Sequence, residues 1–388
     1  MLSDNINMDR YIKKHLLEYA DKKIILLTGP RQVGKTTLTK SLNQSLAYYN
    51  YDVKDNFEVF QKSQWDRSKK LVVFDELHKK KNWKNWLKGI YDNGELKNQQ
   101  IVVTGSSRLD ISKKMGDSLA GRFFSYQLNP LDLDELKGTQ STEKNYYNLL
   151  NYSGFPEPFF EATEKFYSQW KKSHLDMILR QDLLNFEVVK DIDTLEMMVE
   201  LVSTQISSTT SYKSLAEDLQ KDEKTIKNWL RHLENLYVLF RLNPYHHKLK
   251  RSLTKTGKYY FYDICRVRGS TVEQKEAAQL ENLVALSLKK YIDFQNDVFG
   301  KSYDLQFIKF TDQKEIDFVV LEKNIPKLLI EVKLSDSSVS KSFNRQDKAL
   351  QNIKKIQLVK NLKREFSTLS GIKIIRCLDY LENIDFDL

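Results

Sequence analysis

The stretch "LLTGPRQVGKTTL", residues 26–38, breaks an apolar run at Gly29, Pro30, Arg31, Gln32, Val33 and Gly34, then turns on Lys35, Thr36 and Thr37. Gly-x-x-x-x-Gly-Lys-Thr between a strand and a helix fits a phosphate-binding loop, in which backbone N–H groups and the start of the helix cradle a triphosphate. Lys35 would reach the β- and γ-phosphates. The Thr36 hydroxyl would bind the Mg²⁺ that bridges phosphate oxygens during transfer. "LVVFDE", residues 71–76, supplies the complement: apolar residues for a buried central strand, then two carboxylates at its tip. Asp75 would hold the Mg²⁺ shell and Glu76 would orient or activate the attacking water, which is the work of a hydrolase rather than a nucleotide binder. ATP and Mg²⁺ are therefore the expected cofactors.

A further apolar strand, "IVVTGSS" (residues 101–107), would lie beside these two and deliver Thr104 or Ser106 to where a polar side chain could position the lytic water. The sequence leaves open which of the two does so. In "SLAGRFFSYQL" (residues 118–128), Arg122 follows a small Ala-Gly pair and precedes an apolar strand. An arginine there could stabilise transition-state charge, in cis or from a neighbouring subunit of a homo-oligomer. It could equally be a surface or salt-bridging arginine.

A second set of charged residues lies near the end of the chain. "KEIDFVVLEKNIPKLLIEVKL" (residues 314–334) places Asp317 at the start of one strand and Glu331-x-Lys333 on the next. Strand alternation puts Glu331 and Lys333 on one face, with Ile330, Val332 and Leu334 on the other. Two carboxylates can hold Mg²⁺ against a scissile phosphate while a lysine steadies the attacking water or the developing charge. The spacing resembles the PD-(D/E)xK nuclease signature, and Glu281, in the helical segment "AAQLENLVALSLKKYI", sits where that fold often supplies a third acidic ligand. Both an active nuclease and a fold that has lost catalysis and only binds are compatible with this pattern.

Charge points to a partner. The chain carries a net charge of +10, and a basic protein attracts phosphate polyanions. In residues 221–260, ten Lys or Arg stand against Asp222, Glu223 and Glu234, so much of the surplus is local. "SYKSLAEDLQKDEKTIKNWLRHLENLYVLFRL" (residues 211–242) reads as a helix-turn-helix, with Leu215, Ala216 and Leu219 on the first buried stripe and Ile226, Leu230, Leu233 and Tyr237 on the second. Opposite that second stripe lie Lys224, Lys227, Asn228 and Arg231, while "HHKLKRSLTKTGKYYFY" (residues 246–262) could be a basic wing. Such a helix could enter a DNA major groove with the wing on phosphate, or serve as a protein-docking module. The pair His246-His247 has no third ligand spaced with it for a metal.

These sites require elements to hold them. At 388 residues, 40% apolar and 29% charged, the chain can bury real cores in two or three compact units. Strand-like runs at 23–28, 47–52, 71–75, 101–104 and 123–128 alternate with helical patterns, which predicts an α/β domain with a parallel sheet. Residues 131–201 read as a helical lid or connector, punctuated by "YSGFPEP". "YDLQFIKF", "EIDFVVLEK" and "PKLLIEVKL" are the expected strands of a C-terminal α/β unit. The boundaries that follow are 1–137, 138–204, 205–262 and 263–388. Apolar runs such as 24–27 and 71–74 fall far short of the roughly 20 residues a membrane helix needs. No signal peptide is legible either, so a cytoplasmic protein without a membrane partner is expected. Cys265 and Cys377 read as ordinary reduced thiols.

The combination "GPRQVGKTTL", "VVFDELHK", "VVTGSSRLDI", "SLAGR", "LNPLDLDEL", "SGFPEP" and "KYYFYDICR" resembles a large prokaryotic family of AAA-type ATPases joined to a C-terminal domain of uncharacterised function, across nearly the whole chain. The resemblance implies an AAA+ core with a helical lid, a winged helix, and a C-terminal unit similar to restriction-endonuclease-like folds. It also implies a place in mobile-DNA or phage-defence biology. His78 departs from the family's usual Gln after the acidic pair, and Ile264-Cys265 depart from its common Asp-x-Gly-Leu.

Overall fold

A computed structural model of the chain describes residues 8–105, 119–183, 191–246, 256–310, 312, 314–335, 338–343, 350 and 352–387. The fold divides into two compact units. The first comprises Met1–Asn129 with the short pieces Asn235–Tyr237 and Asp297–Phe299, and the second comprises the remainder.

In the first unit the strands are β1 (Ile24–Thr28), β2 (Leu46–Asn50), β3 (Leu71–Asp75), β4 (Gln100–Gly105) and β5 (Phe123–Gln127). They form a wholly parallel sheet in the order β2-β3-β4-β1-β5. Each was expected from the sequence to within two residues at either end. The helices are α1 (Lys13–Leu16), α2 (Lys35–Lys40), α3 (Phe57–Lys62) and α4 (Trp83–Asp92). β1 and β3 are buried along their whole length, as central strands of a parallel sheet must be. Ile24, Leu26, Val72, Phe74 and Val103 pack with Trp83 and Leu87 of α4 in one apolar cluster. Because all five strands run the same way, their C-terminal ends share one edge of the sheet, and the loop after β1 and the carboxylates after β3 both lie there.

The second unit begins with helices α5 (Leu133–Leu136), α6 (Thr142–Tyr152), α7 (Pro156–Glu161), α8 (Glu164–Asp176), α9 (Ile192–Ser203), α10 (Tyr212–Asp218) and α11 (Glu223–Asn235). The turn read at "YSGFPEP" ends in α7, whose first residue is Pro156, a position where the missing N–H costs nothing. An eight-stranded sheet follows in the order β12-β13-β11-β10-β9-β8-β6-β7. Its strands are β6 (Leu239–Pro244), β7 (Lys258–Phe261), β8 (Tyr303–Lys309), β9 (Glu315–Glu322), β10 (Ile325–Lys333), β11 (Lys354–Val359), β12 (Phe366–Ser367) and β13 (Lys373–Arg376). Between β7 and β8 runs α12 (Val272–Phe299), and α13 (Cys377–Leu381) follows β13. The boundary drawn at 262/263 therefore falls inside one sheet: β6 pairs with β7 on one side and, at Asn243↔Gln306 and Pro244↔Phe307, with β8 on the other. β-hairpin signals reveal a strand's sequence neighbour, whereas the β6–β8 pairing joins strands separated by the whole of α12.

Candidate active site and comparisons with known proteins

The loop 29–34 leaves β1 through Gly29, at φ 144°, and enters α2 through Gly34, at φ 99°. Both angles suit glycine. A Cβ at Gly29 would also stand 2.2 Å from the Leu128 carbonyl oxygen, so only glycine lets the loop leave the sheet so close to the end of β5. The Lys35 ammonium, on a residue 6% exposed, donates to the carbonyls of Gly29 (2.9 Å) and Pro30 (2.6 Å). Arg10 links the loop to the chain after β5, donating from its two terminal nitrogens to the carbonyls of Val33 and Asn129, each at 2.6 Å. No motif marks Arg10, and its role shows only in the fold.

Asp75 collects donors. Its Oδ2 accepts from the Thr36 hydroxyl at 2.9 Å and from Tyr48. Its Oδ1 accepts from Thr104 and, at 3.0 Å, from the Glu76 N–H. The Thr36 contact brings the two halves of the expected nucleotide site together. Thr104 is fully buried and its hydroxyl is directed at Asp75; Ser106, the other candidate, lies outside the described residues. Tyr48 was read only as a strand residue. Burial, followed by the Asp75 carboxylate, pushes its phenol pKa well above the ordinary value, so it stays a donor.

Glu76 follows β3 in the left-handed region, at φ 54°, an uncommon conformation for a residue with a side chain. Its Oε2 stands 3.7 Å from His78 Nδ1 and 3.7 Å from Lys79 Nζ, and Lys79 also pairs with Asp52. The His78 side chain is 5% exposed. Burial, then the charges of Lys79, Lys35 and Arg31, pull its pKa down to about 3, so the ring is neutral.

Arg122 occupies the other edge of the sheet. Its carbonyl accepts from the Ile24 N–H at the start of β1, and its Nε donates to Asp92 at 2.9 Å. The five residues of β1 separate it from the phosphate loop, roughly 16 Å at the rise of a strand. The expectation of a finger acting in cis is thereby corrected: a motif shows that Arg122 borders a strand, and only the strand's direction shows which end. The role from a neighbouring subunit is compatible with this placement.

In the second unit the β9–β10 register reaches Ile330↔Phe318, and one step further brings Asp317 opposite Glu331. The Val332 N–H donates to Asp317 Oδ2 at 2.9 Å. Glu331, 3% exposed, has Oε1 without a hydrogen-bond partner among the described residues, and its Oε2 stands 3.7 Å from Lys333 Nζ. Burial and the neighbouring Asp317 charge raise the Glu331 pKa to about 8, and burial with Glu281 raises Asp317 to about 6. Glu281, on α12, accepts from the Tyr260 hydroxyl at 2.7 Å. The sequence-predicted residues are thus neighbours.

They have company that the sequence did not announce. Lys258, 1% exposed, stands 3.6 Å from Glu281 and 2.8 Å from Glu315.

The α10–α11 pair spans the residues expected of it. Leu215, Ala216, Leu219, Ile226, Leu230, Leu233 and Tyr237 are all buried, joined by Trp229. Lys224, Lys227 and Arg231 are exposed and Asn228 is half-buried. Lys227 pairs with Glu223 at 3.2 Å, and Arg231 donates to Asn228 at 3.2 Å. His246 is described, but His247 and the wing residues 247–255 lie outside the described residues.

Residues 21–137 match the family described as "AAA domain". This stretch is an AAA-type P-loop domain. Downstream of it, residues 143–266 and 277–380 match two families each described as a domain of unknown function, DUF8612 and DUF4143. An uncharacterized protein of Methanocaldococcus jannaschii is 24% identical over 353 residues, which span 82% of this chain and 79% of that protein. Another, from Haemophilus influenzae, is 23% identical over 97% of this chain and 98% of its own. Among solved structures, Thermotoga maritima RuvB aligns with 59% of this chain and 87% of its own at 16% identity, with a TM-score of 0.31. The Aeropyrum pernix ORC1 protein, solved in complex with DNA, aligns with 73% and 96% at 12% identity, with a TM-score of 0.34. No helix among the described residues is long and apolar enough to cross a membrane.

Proposed function

We propose that the chain is a Mg²⁺-dependent ATP hydrolase that binds DNA through the α10–α11 pair. The observation that carries the ATPase reading is the Thr36–Asp75 hydrogen bond, which joins the phosphate loop to the acidic end of β3. A hydroxyl and a carboxylate oxygen at that distance are the hard ligands Mg²⁺ prefers, so Thr36 and Asp75 would hold it. When bound, Mg²⁺ neutralises charge on the β- and γ-phosphate oxygens. Lys35 exchanges the carbonyls of Gly29 and Pro30 for phosphate oxygen. Glu76 orients the attacking water and accepts its proton. Arg122, in a homo-oligomer, would serve a neighbouring subunit's nucleotide rather than its own, or else remain the salt-bridge partner of Asp92.

The exposed Lys224, Lys227 and Arg231 support DNA as the partner, because a basic helix face gains counterion-release free energy on a polyphosphate. A cytoplasmic setting, where ATP and DNA are both present, goes with this reading. Asp317, Glu331, Lys333 and Glu281 support a nuclease-like C-terminal module. A second reading, a nucleotide-controlled switch whose nuclease-like module only binds, is favoured by the ammonium of Lys258 beside those carboxylates. Phosphate release by the parent and by Lys35→Ala tests the ATPase: Mg²⁺-dependent release that the substitution abolishes supports it, and an inactive parent, with and without DNA, refutes it.

A further inference from the structure

Lys258 reads in the sequence as one more charge of a basic wing. In the fold it begins β7, at the edge of the eight-stranded sheet, and its side chain is almost wholly buried. The ammonium passes over the Phe307 ring of β8, 5.3 Å from its centroid, and ends 2.8 Å from Glu315 Oε2 and 3.6 Å from Glu281 Oε1. Its backbone is tied down by a bridge to Thr209. Burial pulls the ammonium's pKa down, but the charges of Glu281, Asp317 and Glu315 outweigh it and hold the pKa above lysine's ordinary value. A buried charge persists only when paired, and here the pairing is with Glu315 and with Glu281, the second of which a nuclease-like fold would offer a metal.

The cluster's charge is already close to balanced. Glu281 and Glu315 contact Lys258, whose charge also acts on Asp317 and Glu331, while Lys309 stands 3.3 Å from Glu315 and Lys333 3.7 Å from Glu331. Among the described residues no three His, Cys, Asp or Glu side chains are gathered closely enough to hold an ion. A divalent cation entering would meet the Lys258 ammonium in a low-dielectric pocket, where like charges repel far more strongly than in water. The donors present do not fit a second cation.

We propose that Lys258 is the resident cation of this cluster, so that the C-terminal module takes no divalent metal there and does not cleave phosphodiesters. The inference rests on the nuclease-like reading of that module and is independent of the ATPase and of the α10–α11 surface.

Counting Mn²⁺ bound to the full chain without nucleotide, by electron paramagnetic resonance titration, tests it. Parent and Glu331→Gln should bind the same number of ions, because none resides at the cluster. Lys258→Met should gain one ion, because the carboxylates it leaves unpaired can then close on a divalent cation, and adding Glu331→Gln should remove it; Lys258→Arg, which keeps the cation, should behave as the parent. The proposal is overturned if Glu331→Gln lowers the parent's count, or if a folded Lys258→Met gains none. Should Lys258→Met fail to fold, the comparison of parent with Glu331→Gln still decides. Plasmid, linear and branched DNA with Mg²⁺ or Mn²⁺, with ATP or a non-hydrolysable analogue, should remain uncut by the parent. Cleavage that both Asp317→Asn and Lys333→Ala abolish would also overturn the proposal. Loss of ATPase activity or of DNA binding would leave the ion count unchanged, so failure of those readings is separately visible.

Discussion

The Thr36 hydroxyl donates to Asp75 Oδ2 at 2.9 Å, across 39 residues of sequence, and thereby ties the first turn of α2 to the end of β3. Parallel strands make this meeting possible, because β1 and β3 both end at the same edge of the sheet. Tyr48 and Thr104 complete the shell around Asp75 from β2 and β4, so both flanking strands and the first turn of α2 contribute to one carboxylate's surroundings. Any nucleotide-linked change at Thr36 acts on a carboxylate whose other donors are already in place.

Arg10 ties the loop at Val33 to the chain after β5 at Asn129 with two hydrogen bonds from one buried guanidinium. Hydrogen bonds from charged donors contribute roughly 1.5–3 kcal/mol each, and removing the donor leaves buried carbonyls unsatisfied. Arg10→Ala should therefore lower unfolding stability by at least that amount and weaken ATP binding together with it. Urea unfolding and nucleotide titration of the same preparation check this; unchanged values in both would show that the loop holds itself.

His78 links the site to pH. Its folded pKa is depressed from 6.5 to about 3, so between those values the unfolded chain binds the extra proton and the native chain does not. The stability conferred by the neutral ring is complete above pH 6.5 and drains away as pH falls toward 3, with a slope of up to about 1.4 kcal/mol per pH unit. Glu76, Lys79, Lys35, Arg31 and Asp52 are the charges that surround it. His78→Gln removes this titration, so the parent's stability advantage over the variant should shrink as pH falls across that window. Parallel curves for the two proteins would contradict the assignment.

Legibility followed locality. The loop 29–37 and the pair Asp75-Glu76 could be read because a phosphate-binding loop is a short backbone motif with fixed glycine positions and an apolar strand announces its own burial. The stripes of α10 and α11 were legible for the same reason, since helical periodicity is contained within each element. Arg10, Tyr48 and Lys258 were not, because each acts on residues distant in sequence: Arg10 bridges 23 and 119 residues, and Tyr48 meets a carboxylate 27 residues away. Lys258 was hidden further, since a lysine among many in a basic segment gives no sign that it will be buried. The cis and trans readings of Arg122 could not be told apart because spacing does not say at which end of a strand a residue will stand.

Lys227 and Arg231 carry the DNA reading. Lys227 also lies over the Tyr212 ring, 5.2 Å from its centroid, and both cations have acceptors on their own helix. Replacing both with Glu should weaken duplex binding across sequences and flatten the slope of log affinity against log salt by about one unit per lost phosphate contact. Fluorescence anisotropy over a salt series measures both quantities, and equal affinity of variant and parent at low salt would assign this face to protein docking.

The claim that Glu76 drives hydrolysis is tested most directly by Glu76→Gln, with ATP binding and phosphate release measured on one preparation. The substitution removes the carboxylate proposed to accept the water's proton and leaves Lys35, Thr36 and Asp75 in place. Binding should stay near the parent's while turnover falls by about 10²-fold or more, the usual contribution of a general base. A variant that binds ATP and hydrolyses it at the parent's rate would contradict the account.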